Sequence, residues 1–210
     1  MMRKRRLLDF CFCLAIVFLA GRLAAQQFRT PISFGPGDDP AILADSGLVY
    51  IACAGVNSHG DVGIDFAFSE DNGKTFSPGL RIDDDVTGAR KDMESKTGRN
   101  MIVDGNHIYI WWYDQRNGVD LDIYFSHSHD GGQTFAPNQR LDDTGAPGDR
   151  MTSMARMAAS GWSVFFALRV NDVAATTNEG VYILASNDGG QTFIAPNLHC
   201  FCMVWQRHSR

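Results

Sequence analysis

The chain has 210 residues, 44% hydrophobic and 20% charged, a globular balance that sets it apart from disordered and fibrous chains. Its formal net charge of −5 supplies no basic footprint, which argues against a nucleic-acid partner. Glycine (21 residues) and phenylalanine (14) are high, which points to short strands and tight turns.

In chain order, the N-terminus has the anatomy of a secretory signal. Arg3, Lys4, Arg5 and Arg6 precede an apolar run from Leu7 to Ala20, interrupted by Asp9, and Leu23-Ala24-Ala25 offers a small-residue cleavage site. Residues 1–25 are therefore predicted to be a signal peptide, and the protein to be secreted or periplasmic. The run is shorter than the ~20 apolar residues of a spanning helix, so no stable membrane span is expected after cleavage. Cys11 and Cys13 lie in this segment, and Cys200 and Cys202 lie in the C-terminal tail. Cys53 alone belongs to the body of the chain, within the apolar run Val49-Tyr50-Ile51-Ala52-Cys53, and reads as a buried small hydrophobe.

Residues 26–197 carry an internal repeat. Ser69-Glu-Asp71-Asn-Gly73-Lys-Thr75-Phe76, Ser128-His-Asp130-Gly-Gly132-Gln-Thr134-Phe135 and Ser186-Asn-Asp188-Gly-Gly190-Gln-Thr192-Phe193 share five fixed positions at spacings of 59 and 58 residues. Each is preceded by three apolar runs that read as strands. The first runs are Ala41–Ala44, Met101–Asp104 and Met154–Ala158. The second are Leu48–Ala54, His107–Tyr113 and Trp162–Leu168. The third are Gly63–Phe68, Asp122–His127 and Gly180–Ala185. A fourth strand is expected after Phe76-Ser-Pro78 and Phe135-Ala-Pro137. The octapeptide suits a hairpin turn: the Asp accepts from turn N–H groups, the Gly takes φ > 0, and the hydroxyls satisfy remaining backbone groups.

This pattern resembles the Asp-box (BNR) repeat of the sialidase superfamily. The three octapeptides and their flanking strands carry the resemblance, over roughly Phe28 to Asn197. It implies an all-β fold, a β-propeller of four-stranded blades, with about three blades present and the propeller incomplete. In that superfamily the Asp box is structural and lies away from the active site. The resemblance further implies a search for carboxylate-binding arginines with a Tyr–Glu pair. Arg29, in Phe28-Arg29-Thr30-Pro31, is the candidate catalytic residue it supplies. The same phrase aligns with Phe193-Ile-Ala-Pro196, so the reading of Arg29 as a strand residue is the stronger. Thr30 stands where the family phrase has Ile, Ala67-Phe68 stand where an Arg often precedes the Asp-box Ser, and no Tyr–Glu pair can be assigned.

The loop after the second strand of the middle unit is the most polar-aromatic stretch. Trp112, Asp114 and Arg116 form a possible ligand-facing loop, and strand alternation into the core is the competing account. Asp83-Asp84-Asp85 and Asp142-Asp143 read as solvated loop charges pairing with Arg81 and Arg140. The histidines form no evident metal set, and neither metal nor cofactor is expected. Residues 198–210 break the repeat and read as an atypical tail, a frameshift or a fragment end. Closed propellers have about 4–8 blades, so open sheet edges are expected to invite self-association. The function expected is a non-catalytic, exported scaffold that binds a glycan or protein. The alternative is the N-terminal fragment of a sialidase-like glycoside hydrolase of the exo-alpha-sialidase type.

Overall fold

The computed structural model describes Ser33 and residues 37–56, 62–93, 100–118, 121–142, 150–172 and 180–194. The predicted signal peptide, Arg29 and the tail 198–210 lie outside the described residues. Apart from Ser33, everything described belongs to one compact unit, Phe34–Arg210.

Three antiparallel sheets follow one another along the chain. The first runs β1 (Gly37–Asp45), β2 (Leu48–Val56), β3 (Val62–Ser69) and β4 (Leu80–Arg81), in that spatial order. The second contains β5 (Lys91–Asp92), β6 (Met101–Asp104), β7 (His107–Asp114), β8 (Asp122–Ser128) and β9 (Gln139–Arg140), with β5 and β6 both pairing with β7. The third is β10 (Arg150–Ser160), β11 (Ser163–Asp172) and β12 (Gly180–Ser186), with a bridge from Ala185 to Ile194 where a fourth strand would start. The expected four-strand unit is thus complete in the first sheet. In the second its first strand is broken into two pieces; Lys91–Asp92 had no apolar pattern to announce it.

The sheets lie face to face as blades. Blade one packs Tyr50, Ala52, Ile64 and Phe66 against Ile108, Ile110 and Trp112 of blade two. The opposite face of blade two packs Tyr109, Trp111, Ile123 and Phe125 against Val164, Phe166 and Leu168 of blade three. Strand alternation explains the division: odd residues of β7 face one neighbour and even residues the other. Every residue of β8 is buried for the same reason. All-β, antiparallel meanders of this kind packed in sequence make a partial β-propeller.

The three octapeptides close the third hairpin of each blade in one way. Ser69 Oγ donates to Asp71 Oδ1 at 2.9 Å and accepts from Gly73 N at 2.9 Å. Asp71 then accepts from Thr75 N and Thr75 Oγ1 at 2.8 and 2.7 Å. Ser128, Asp130, Gly132 and Thr134 repeat these bonds at 2.7, 2.9, 2.9 and 2.5 Å. Ser186, Asp188, Gly190 and Thr192 repeat them again at 2.7, 2.8, 3.0 and 2.5 Å. The turns are also tied to the first hairpin of their own blade: Asn72, Gly131 and Gly189 donate backbone N–H to Gly47, Asn106 and Trp162. The Phe that ends each later turn reaches the preceding blade, with Phe135 5.0 Å from Phe66 and Phe193 5.3 Å from Phe125 between ring centroids. Phe76, of the first turn, is half-buried.

Candidate functional site: the loop end of blades one and two

Hairpins of a meander alternate between two ends of the sheet. The octapeptides and the β1–β2, β6–β7 and β10–β11 turns occupy one end. The β7–β8 loop and the crossover from β4 to β5 therefore occupy the other, and here the charged residues gather. β7 ends in Asp114, which the strand brings to the loop end fully buried. Asp114 Oδ2 accepts from Trp112 Nε1 at 3.1 Å, and from Arg116 Nε and Nη2 at 3.0 and 2.8 Å. The Arg116 guanidinium also pairs with Asp84, bonds Asn138 Oδ1 at 3.2 Å, and lies 4.1 Å over the Tyr124 ring. Burial opposes its charge, but the bonds to Asp114 and Asp84 outweigh burial and hold it above the ordinary arginine value.

Beneath this clamp sits Lys91, its side chain fully buried. Its Nζ is 2.7 Å from Asp85, 3.5 Å from Asp83 and 4.0 Å from Asp114, and it donates to the Val62 and Ala89 carbonyls, each at 3.2 Å. Burial raises the Asp85 carboxyl, but the Lys91 bond and the Thr87 N–H and hydroxyl more than reverse that, leaving it well below the usual carboxylate range. Arg81 grips Asp83 through Nε and Nη2 at 3.0 and 2.9 Å. Asp65 beside them is pushed up, first by burial and then by the Asp83 charge, with Arg81 opposing. Further along, Arg140 bonds Asp122 at 2.7 Å and approaches Asp142 at 3.7 Å, and Asn117 donates to Asp122 and to Tyr124 Oη at 3.0 and 2.7 Å. Burial raises the Tyr124 phenol.

The site residues anticipated from sequence thus come together, in a different role from the one their polarity suggests. Trp112 is fully buried in the core between blades one and two, with only its indole N–H turned to the network. Trp111 is buried on the other face. Of the aspartate run, only Asp84 is exposed. Asp83 and Asp85 are buried, a correction to their reading as solvated charges: Asp83 pairs with Arg81 as expected and accepts from the Ile64 N–H, and Asp85 pairs with Lys91, whose ammonium had no sequence signal marking it as interior. Asp143 lies outside the described residues. Cys53 is half-buried, and burial followed by the Asp65 charge raises its thiol.

A second cluster, at the octapeptide end, escaped the sequence reading. His107 Nδ1 lies 2.9 Å from His129 Nδ1, and the His129 ring is 4.6 Å from both His127 and Trp162. Burial, and then the charge of His129, lower His127 to about 4. Its Nδ1 is buried without a partner. The repeat itself held the clue: His127 occupies the place of Phe68 and Ala185, one residue before the turn serine, and so points toward blade three.

What the loop end can do follows from this pairing. Each of its cations is paired with carboxylates, which outnumber them, and Arg116 is committed to Asp114, Asp84 and Asn138. The surface it offers is Asp84, Asn138 and the rim of Arg116 and Asn117, which suits hydrogen bonding to a polar ligand. Among the described residues no helix is long and apolar enough to cross a membrane.

No protein-family model and no curated protein sequence matches the chain. Among solved structures it is similar to the Penicillium chrysogenum alpha-L-arabinanase complexed with arabinobiose, with 11% identity and a TM-score of 0.46 over 70% of this chain and 45% of that one. It is similar to the Hadza microbial sialidase Hz136, with 15% identity and a TM-score of 0.44 over 75% and 36%. A mutant of the NanB sialidase from Streptococcus pneumoniae aligns at 15% identity and a TM-score of 0.39 over 71% and 20%. The chain spans less than half the length of each. Identity this low speaks to fold alone, and the partial propeller stands on the chain's own strand pairing and interblade packing.

Proposed function

We infer that the chain is an exported Asp-box repeat propeller that binds a glycan or protein ligand at its loop end and performs no chemistry on it. The observation that carries this reading is the closed pairing of Lys91, Arg81 and Arg116 with Asp85, Asp83, Asp84 and Asp114. An arginine that grips a substrate carboxylate must keep its fork open to solvent, whereas Arg116 is spent on its own loop. The octapeptide turns supply a rigid frame at one end, leaving the loops at the other free to vary for recognition.

A second reading, a sialidase-like glycoside hydrolase represented by its N-terminal part, is favoured by the Asp-box resemblance and by Arg29 in Phe28-Arg29-Thr30-Pro31. The two are separated by incubating the full chain with a fluorogenic sialoside and by a glycan-array screen. Saturable glycan binding without turnover, weakened by Asn138→Ala or Asp84→Ala, is expected. Turnover that disappears in Arg29→Ala would install the hydrolase instead.

A further inference from the structure

The repeat allows each exposed residue of the outermost blades to be compared with its own equivalents inside. Phe66, Phe125 and Ile183 each stand three residues before the turn serine, and they pair with Ala52, Trp111 and Ala167. In the same register Tyr50, Tyr109 and Phe165 are equivalent, as are Ile64, Ile123 and Val181. In blades one and two this face is covered by the next blade, and Tyr50 and Tyr109 are 3% and 0% exposed. In blade three Phe165 is 45% exposed and Val181 39%, and Ile194 extends the same row at 62%. Apolar side chains that are core elsewhere thus stand in water here, on a face that also carries Arg156 opposite Ala167 and Arg169 opposite Val181.

The surface that covers this face is equally well defined. Blade two covers blade one with Ile108, Ile110 and Trp112, and blade three covers blade two with Val164, Phe166 and Leu168. The equivalents in blade one are Val49, Ile51 and Cys53, placed by the pairings Val49↔Ser69 and Ile51↔Ala67. They are half-buried on the face that points away from blade two, and Ile42, opposite Ile51, is 62% exposed. The described blades therefore carry both halves of a blade-to-blade contact, one on blade three and one on blade one.

We propose that the open face of blade three takes the open face of blade one of a second copy of this chain, head to tail. The contact reuses the strand register of the two internal interfaces, and its apolar area drives it as theirs does. Because the two patches differ, the contact is heterologous: it closes into a ring or runs on as a chain of copies. It is an association of sheet faces and leaves the loop-end site free.

The test is the mass of the full chain in solution, by light scattering and sedimentation at micromolar concentration. Concentration-dependent assembly is expected. Phe165→Asp on blade three and Ile42→Asp on blade one should each weaken assembly at least about tenfold, since each puts a charge into an apolar contact. Both positions are exposed within the chain, so a cooperative melt should survive. If Phe165→Asp does not fold, Val181→Lys tests the same face. Mixing the two variants in equal amounts should restore a 1:1 pair and nothing larger, because each then has one intact face. A wild-type chain that stays monomeric overturns the proposal, whether residues 195–210 or another protein cover the face. Assembly unmoved by either substitution, or variants that do not pair when mixed, overturns it too.

Discussion

Lys91 and Asp85 form a fully interior ion pair at 2.7 Å, in which one ammonium serves the crossover between blades one and two and, through Asp114 at 4.0 Å, the end of β7. Removing one member of such a pair leaves a buried charge uncompensated. Lys91→Met should therefore cost about 3–5 kcal/mol of stability, read as a lower urea midpoint with unchanged slope. A loss below about 1 kcal/mol would mean that water reaches the pair.

Two adjacent glycines in the second octapeptide should respond differently to alanine. Both have positive φ, so each substitution carries a backbone cost of about 1–2 kcal/mol. A Cβ on Gly131 meets open space, but one on Gly132 would come within 2.4 Å of Phe66 Cε1 and 3.1 Å of Ile108. Gly132→Ala should therefore lose a further 1–3 kcal/mol or so from overpacking between blades. Equal melting temperatures for the two variants would contradict the packing described.

Acid should weaken the fold in two stages. His127 has its folded pKa lowered to about 4, so the unfolded chain binds that proton first; the stability this provides is complete above about 6.5 and lost as pH falls toward 4. His129 is lowered too, by burial and then by the charge of His107. Below about 4 the turn aspartates follow. Burial raises Asp130, but the bonds from Thr134 and Ser128 take it down to about 2, and hydrogen bonds from Thr75 and Thr192 likewise depress Asp71 and Asp188. These carboxylates stabilise the fold above their unfolded value and lose that contribution as pH drops through the folded one. His127→Phe, which installs the residue found at Phe68, should flatten the upper stage and leave the lower intact. The melting temperature against pH, for both chains, decides it.

Arg116 ties the β7–β8 loop to both Asp114 and Asn138, and lies over Tyr124. Arg116→Ala should speed amide exchange through 115–118 while leaving β7 protected. Arg116→Lys should recover little, because an ammonium cannot reproduce the fork or the stacking. Exchange unchanged in both would show that the loop is held by Asn117 and its partners instead.

The octapeptides and apolar runs made the strands and blade order legible, because turn chemistry and period-two burial are local properties. Expected strands such as Gly63–Phe68 differ from Val62–Ser69 only at their ends. The loop end was legible in its residues, Trp112, Asp114 and Arg116, but not in its arrangement. Burial of Asp85 depends on Lys91, which arrives along a strand of two residues too short to show a pattern. The histidine cluster was hidden for a related reason: His107 and His129 meet across blade two's own turn, and Trp162 joins them from blade three, a contact between units that no spacing within one unit records.

Blade two shows both of its faces to protein and neither to water. Its amides in β7 and β8 should therefore be the best protected among the described strands. The middle sheet, stripped of a face, would lose the packing that holds it. A lesion that loosens either outer sheet is felt as a shortened lifetime of the entire molecule.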